Sequence, residues 1–254
     1  MILAVDAGNS NIVLGCMEGL EIRHTLRLKT DRAMSAAGYT VTLQAALAQA
    51  GFSVAGFEGG ILSSVVAAVT EPLRQALSAL LSGPVLVVGK TAKTTLPLCI
   101  DQPETIGADL IAAAEGALAQ YAPPLVLIDM GTATTFSVLD KSGAFLGGAI
   151  APGVQLGAEA LTQRTGLPMT ELSAPQSPLS HSTTDCLRSG VIYGAAAMVD
   201  GMLDRLETAL GTPVTAIATG GLAHCVIPHC RRPVTLDDQL LLRGLAVMYL
   251  REMT

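Results

Sequence analysis

The sequence predicts a mixed α/β protein made of two similar halves that face a shared cleft. Three observations carry this. Short β-branched runs alternate with longer Ala/Leu-rich stretches, so strands and helices are interleaved along the chain. A strand ending in D-x-G and continuing into a second strand occurs twice, about half a chain apart. Half of the 254 residues are apolar and 14% are charged, enough apolar content to bury a core in each half.

The runs 2–6 (ILAVD), 59–66 (GGILSSVV), 84–89 (PVLVVG), 124–131 (PLVLIDMG), 134–140 (TTFSVLD) and 215–221 (TAIATGG) read as strands. Residues 38–50, 71–82, 107–120, 192–210 and 238–252 carry apolar side chains at spacings of three and four, which predicts amphipathic helices. The repeat is AVDAGNSNIVLGCME (4–18) against LIDMGTATTFSVLDKSG (127–143). Each half reads as a β-turn-β hairpin with Gly where the backbone bends tightly. The halves divide into 1–120 and 121–254, where the helix that begins at Gly107 gives way to Tyr121-Ala122-Pro123-Pro124. The Ser/Thr/Pro-rich stretch 169–185 reads as a surface loop.

Composition narrows the function classes. No run reaches the about 18 apolar residues that a membrane-spanning helix needs, and the start, Met1-Ile2-Leu3-Ala4-Val5, lacks the basic end of a secretory signal. Five cysteines, an odd number, are scattered along the chain and argue against a disulfide framework. These features predict a cytoplasmic protein with no membrane partner. A net charge of -6 without a dense basic run gives no footprint for nucleic acid, which is therefore not an expected partner.

The chemistry-bearing motifs sit at the strand ends. In DAGNSN (6–11) a carboxylate precedes a Gly turn: backbone N–H groups there can cradle phosphate oxygens, Asp6 can hold a hydrated Mg²⁺, and Ser10 and Asn11 add donors. An ordinary Asn/Gly hairpin turn would look the same. DMGTATTF (129–136) repeats the pattern; Asp129 is a candidate cation ligand and Thr132 a candidate phosphate contact, while Thr134 and Thr135 read equally as strand residues, Thr135 especially. In ATGGLA (218–223), Gly220 and Gly221 let the backbone approach a flat ligand such as adenine. GADL (107–110) puts Asp109 in the first turn of a helix, where a carboxylate suits the dipole without any function and could also serve as a general base. GGAIAPG (147–153) reads as either part of an acceptor pocket or a tight connection. His224, Cys225, His229 and Cys230 are too crowded for the usual two-pair zinc spacing and read as incidental loop residues.

Taken in order, DAGNS (6–10), SSVV (63–66), GAD (107–109), DMGTATT (129–135), GGAIAPG (147–153), SG (189–190) and ATGG (218–221) resemble the type III pantothenate kinases over essentially the whole chain. That family lies in the superfamily of acetate and sugar kinases, heat-shock chaperone ATPases and actin. The resemblance implies two ribonuclease-H-like domains, ATP-dependent phosphorylation of pantothenate as the first step of coenzyme A synthesis, Mg²⁺, a monovalent cation such as K⁺ or NH₄⁺, and a homodimer. It implies that Asp6, Gly8, Asn9 and Ser10 form the first phosphate loop, Asp129 the monovalent-cation ligand, Thr132 an ATP contact and Gly220-Gly221 the adenosine loop. Asp109 matches the catalytic base, Gly107, Ala108 and Leu110 its acceptor-side neighbours, and Thr183, with Thr184 beside it, a threonine that contacts pantothenate.

Two positions depart from the pattern. The family commonly reads GADR where this chain has Leu110, and an apolar side chain cannot replace a guanidinium fork. A tyrosine that the family places some residues before GAD is absent from a region that reads Leu98-Cys99-Ile100. Two other readings follow: a related kinase with a different small alcohol acceptor, and a nucleotide-binding regulator without catalysis.

Overall fold

The computed structural model describes residues 1–168 and 171–254, in two compact units. The first unit comprises Met1–Leu96, Asp101–Gln120 and Gln239–Thr254; the second comprises Pro97–Ile100 and Tyr121–Asp238.

The first unit is built on a five-stranded sheet of β1 (Ile2–Ala7), β2 (Asn11–Glu18), β3 (Glu21–Lys29), β4 (Gly59–Ser64) and β5 (Val85–Val87), in the order β3-β2-β1-β4-β5. The first three strands form an antiparallel meander, and β4 and β5 add in parallel to β1. Central β1 is apolar on both faces because both are covered. Leu3, Val5 and Ala7 pack against α1 (Ala36–Gln49) and α2 (Ala67–Leu80), and Ile2 and Ala4 against α3 (Ala108–Leu118) and α7 (Leu240–Glu252). The edge strand β3, EIRHTLRLK, alternates between exposed and half-buried side chains. Its charges are what a solvent-facing sheet edge requires, and they mask it as a strand in the sequence.

The second unit repeats the arrangement with β6 (Leu125–Met130), β7 (Ala133–Leu139), β8 (Phe145–Pro152), β9 (Thr215–Thr219) and β10 (Thr235–Leu236), in the order β10-β9-β6-β7-β8. Again a three-stranded antiparallel meander is extended in parallel from its first strand. Val126, Ile128 and Met130 face α5 (Thr183–Leu210) and the short α6 (Ala223–Val226); α4 (Val154–Thr165) packs beside α5. The sheets are therefore mixed, as the interleaved pattern predicts, and the hairpins β1–β2 and β6–β7 are the two repeat copies.

Helix α5 starts at Thr183, not at residue 192, so the expected surface loop ends at Ser182; its first two residues, Met169 and Thr170, lie outside the described set. The cause is a cap: the Ser182 hydroxyl accepts the Asp185 N–H at 3.1 Å, which satisfies a donor at the helix start. The early turns, rich in Ser, Thr and Gly, lack the apolar periodicity that reveals the later ones. Helix α4, VQLGAEALTQRT, likewise shows only a faint apolar period, with Val154 and Ala158 its buried residues.

Helices α3 and α7 touch at their backbones. A methyl group on Gly116 would lie 1.9 Å from the Leu240 carbonyl oxygen, and one on Gly244 would lie 1.7 Å from that of Ala112. Beside this crossing, Glu115 is 7% exposed and accepts two hydrogen bonds of 3.0 Å from Arg251. The Thr94 hydroxyl adds a third at 2.8 Å. A carboxylate buried in this way depends on its cation, and removing one partner of such a pair costs about 3–5 kcal/mol because the other charge stays uncompensated. Arg251→Met is therefore expected to lower the unfolding free energy in urea by about 3 kcal/mol; a loss below about 1 kcal/mol, the scale of an exposed pair, would show that Glu115 is not held by this contact.

Candidate active site

In the first unit the carboxylate of Asp6 stands at the end of β1, in parallel register with Ser63 on β4. The Ser63 hydroxyl donates to Asp6 Oδ1 at 3.0 Å, which fixes the carboxylate's orientation. The following turn is closed by the Gly8 N–H on the Asn11 carbonyl at 2.9 Å, leaving Asn9 and Ser10 exposed at its tip. The segment after β3 is fastened to this turn. The Thr30 N–H reaches the Ser10 carbonyl at 3.1 Å, and the Thr30 hydroxyl reaches the Gly8 carbonyl at 2.7 Å. Arg32 Nη2 donates to Asn9 Oδ1 at 3.0 Å. Nothing in the sequence singles out Thr30 or Arg32, because their partners lie twenty or more residues away.

Asp109 occupies the first turn of α3, whose start at Gly107 has no side-chain cap. Its Oδ1 accepts the Leu110 N–H at 2.8 Å, and a methyl group on Gly107 would lie 2.3 Å from the same oxygen. Glycine at 107 is thus what makes room for the carboxylate. Asp109 is half-buried, and its removal from water pushes its pKa above the ordinary carboxylate value against the opposing pull of backbone N–H groups. Leu110 is half-buried next to it.

In the second unit Asp129 ends β6, and the Gly131 N–H closes the turn on the Ala133 carbonyl at 3.0 Å. Gly220 at the end of β9 has φ +95, and a side chain there would come within 2.5 Å of Asp129 Oδ1 and 2.7 Å of the Met130 nitrogen. The Gly220-Gly221 turn and the Asp129 turn are therefore one surface, with Thr132 exposed on it. Thr135 pairs directly across from Asp129, so the two side chains share a sheet face. The Thr135 hydroxyl is buried and has no hydrogen-bond partner among the described residues; nor has that of Thr134. An orphaned hydroxyl beside a carboxylate is an all-oxygen donor pair, and it fits a hard cation better than it fits a plain strand position. Asp6, one carboxylate beside a Gly turn, likewise fits Mg²⁺, which is usually held by one or two carboxylates plus substrate phosphates.

Thr183, the first residue of α5, lines a cavity of about 640 Å³. Pro152 and Gly153 of the GGAIAPG run lie at one edge, with Leu161, Leu187 and Met198 among the apolar walls. Thr184 is not part of the lining. Gly153 packs against the second turn, since a methyl group there would lie 2.2 Å from the Thr132 carbonyl oxygen. The His/Cys run goes elsewhere: His224 pairs with Asp238 at 2.5 Å and His229 packs edge-on to Tyr193 at 5.0 Å. No group of three His, Cys, Asp or Glu residues among those described is placed to hold a metal ion.

The sequence profile of the type III pantothenate kinases matches residues 2–205. A type III pantothenate kinase from an Exiguobacterium species is 38% identical over 252 residues, covering 99% of each chain, and one from Moorella thermoacetica is 35% identical over the same share. The chain belongs to the type III pantothenate kinase family. Among solved structures, a conserved Campylobacter jejuni protein provisionally assigned to the Baf transcriptional activators superposes with a TM-score of 0.64 at 17% identity, covering 99% of this chain and 98% of that one. The Clostridium difficile activator of 2-hydroxyisocaproyl-CoA dehydratase, with bound ADPNP, gives 0.58 at 13% identity, covering 99% and 93%. At such identities these two likenesses speak for the fold alone. No helix among the described residues is long and apolar enough to cross a membrane.

The raised pKa of Asp109 has a consequence for stability. A carboxyl whose folded pKa lies above its unfolded value holds its proton longer in the native state, so stability falls as pH rises from the unfolded pKa through the folded one. Asp109→Asn is expected to raise the melting temperature at pH 7, with the gain shrinking as the pH is lowered toward the ordinary carboxylate range; a lower melting temperature at pH 7 would mean that the carboxylate is stabilising there.

Proposed function

We propose that this chain transfers the γ-phosphoryl group of ATP to the primary hydroxyl of pantothenate, the first step of coenzyme A synthesis. The observation that carries the reading is Asp109: a carboxylate drawn partly out of water, at the uncapped start of a helix locked to its neighbour, within a family whose members are kinases. A general base needs such a group, because raising its pKa increases its appetite for the alcohol proton. The proton of the acceptor hydroxyl goes to Asp109 as its oxygen bonds to the γ-phosphorus. The bond to the β–γ bridging oxygen breaks and ADP leaves.

In the first unit, Asp6, held by Ser63, meets the magnesium-bound phosphates, and Gly8, Asn9, Ser10 and Asn11 provide the turn around them. Mg²⁺ supplies charge neutralisation on the phosphates. In the second unit, Thr132 contacts ATP, Gly220 and Gly221 accommodate the adenosine, and Asp129 with Thr135 holds a monovalent cation, K⁺ or NH₄⁺. The orphaned Thr135 hydroxyl supports that last assignment. Gly107, Ala108 and Leu110 flank the acceptor, with Thr183 a further contact. The protein works in the cytoplasm, without nucleic-acid or membrane partners, as a homodimer. Exposed Ile150 (78%), Leu156 (47%), Leu161 (42%) and Leu179 (75%) on the second unit support self-association.

Leu110 favours a second reading, a related small alcohol as acceptor, since no guanidinium stands at that position to meet an anionic group. One experiment separates the two. A coupled ADP-release assay with Mg²⁺ and K⁺ is expected to show turnover on pantothenate, and Asp109→Asn is expected to reduce kcat at least about a hundredfold, as for loss of a general base. Turnover on another small alcohol but none on pantothenate would remove the substrate, and an active Asp109→Asn enzyme would remove the base.

A further inference from the structure

The first turn, DAGNSN, contains a carboxylate but no cation, although the proposed ligand carries several negative charges. The structure brings one in from outside the motif. Thr30 grips the turn through its N–H on the Ser10 carbonyl and its hydroxyl on the Gly8 carbonyl. The next residues are tied down by two hydrogen bonds. The Asp31 carbonyl accepts the hydroxyl of Tyr39, a buried residue of α1, at 2.7 Å, and the Asp31 carboxylate accepts the Ala33 N–H at 2.9 Å. Arg32 is carried on this braced bend, and its guanidinium lies on the side chain of Asn9 at the tip of the turn.

Among the described residues Arg32 makes that one hydrogen bond and pairs with no carboxylate. An exposed guanidinium has five N–H donors in a planar fork, so most of its capacity remains for a ligand. It is placed by a neutral side chain, which steers it without neutralising it. By contrast Arg23, earlier on β3, is satisfied by Glu18 and Glu21.

We propose that Arg32 is a phosphate-binding residue of this kinase, closing a charge-assisted contact with a nonbridging oxygen of the ATP polyphosphate while Asn9 holds the guanidinium over the turn. The inference rests on the reading of residues 6–11 as a phosphate loop. A planar fork is suited to such oxygens, and a charge-assisted contact is about twice as strong as a neutral one.

The test uses the full chain, with MgATP as the probe. Arg32→Gln keeps a donor for Asn9 Oδ1 and removes the charge, whereas Arg32→Lys restores the charge. The expected result is a rise of about tenfold or more in KM for ATP in Arg32→Gln, partly reversed in Arg32→Lys, with the melting temperature unchanged in both. A purely structural role would leave Arg32→Gln near wild type, because the bond to Asn9 survives. Wild-type KM and kcat in Arg32→Gln, or a Lys variant as impaired as the Gln variant, would overturn the proposal. If the wild-type protein itself fails to bind MgATP by calorimetry, the phosphate-loop reading falls instead, and Arg32 with it.

Discussion

The site depends on the crossing of α3 over α7. Two glycines, Gly116 and Gly244, let the helices meet backbone to backbone, and Glu115 with Arg251 clamps the same crossing from the side. A helix held this way has little freedom to slide or rotate. Its first turn, with Asp109 folded back over Gly107, is therefore presented in a defined position and partly shielded from water. The energetic cost of that shielding is borne by the crossing and by the apolar contacts of Ile111, Ala112, Leu245 and Ala246 around it. A carboxylate kept partly out of water is what the proposed role of Asp109 as a base requires.

The second organising feature is duplication with divergence. Both sheets have the same strand order and the same antiparallel meander, so each unit delivers a carboxylate at the end of its first strand. Their surroundings then differ. Asp6 is met by a hydroxyl donor from Ser63 and flanked by a turn that recruits Thr30 and Arg32. Asp129 is packed under Gly220, opposite a threonine whose hydroxyl has no partner among the described residues. One scaffold position thus has two surroundings: a serine hydroxyl that donates to the first carboxylate, and a buried threonine hydroxyl without a partner among the described residues across from the second.

Much of this was legible in the sequence. The D-x-G repeat revealed both hairpins, and Asp6, Asp129, Gly220 and Asp109 stood at element ends where polar residues are conspicuous against apolar runs. What stayed hidden has identifiable causes. Strand β3 carries too much charge to read as a strand, because an edge strand faces water on one side. Helix α4 and the start of α5 are built on small and polar residues, so the period of 3.6 is faint, and the Ser182 cap that begins α5 sits inside a Ser/Thr-rich run that looks like loop. The ion pair of Glu115 with Arg251 and the contact of Arg32 with Asn9 join residues far apart in the chain, and no local pattern announces such pairs. Thr135 looked like an ordinary strand residue; only its lack of a partner sets it apart.

The central claim is that the fold withholds water from one particular carboxylate. The most direct measurement is a ¹³C NMR titration of the aspartate carboxyl carbons in the ligand-free protein, with Asp109 assigned by the resonance lost in the Asn variant. The account predicts a midpoint for Asp109 above the ordinary aspartate range, about 3.5–4. A midpoint within or below that range would show a well-hydrated or ion-paired carboxylate, and would contradict it.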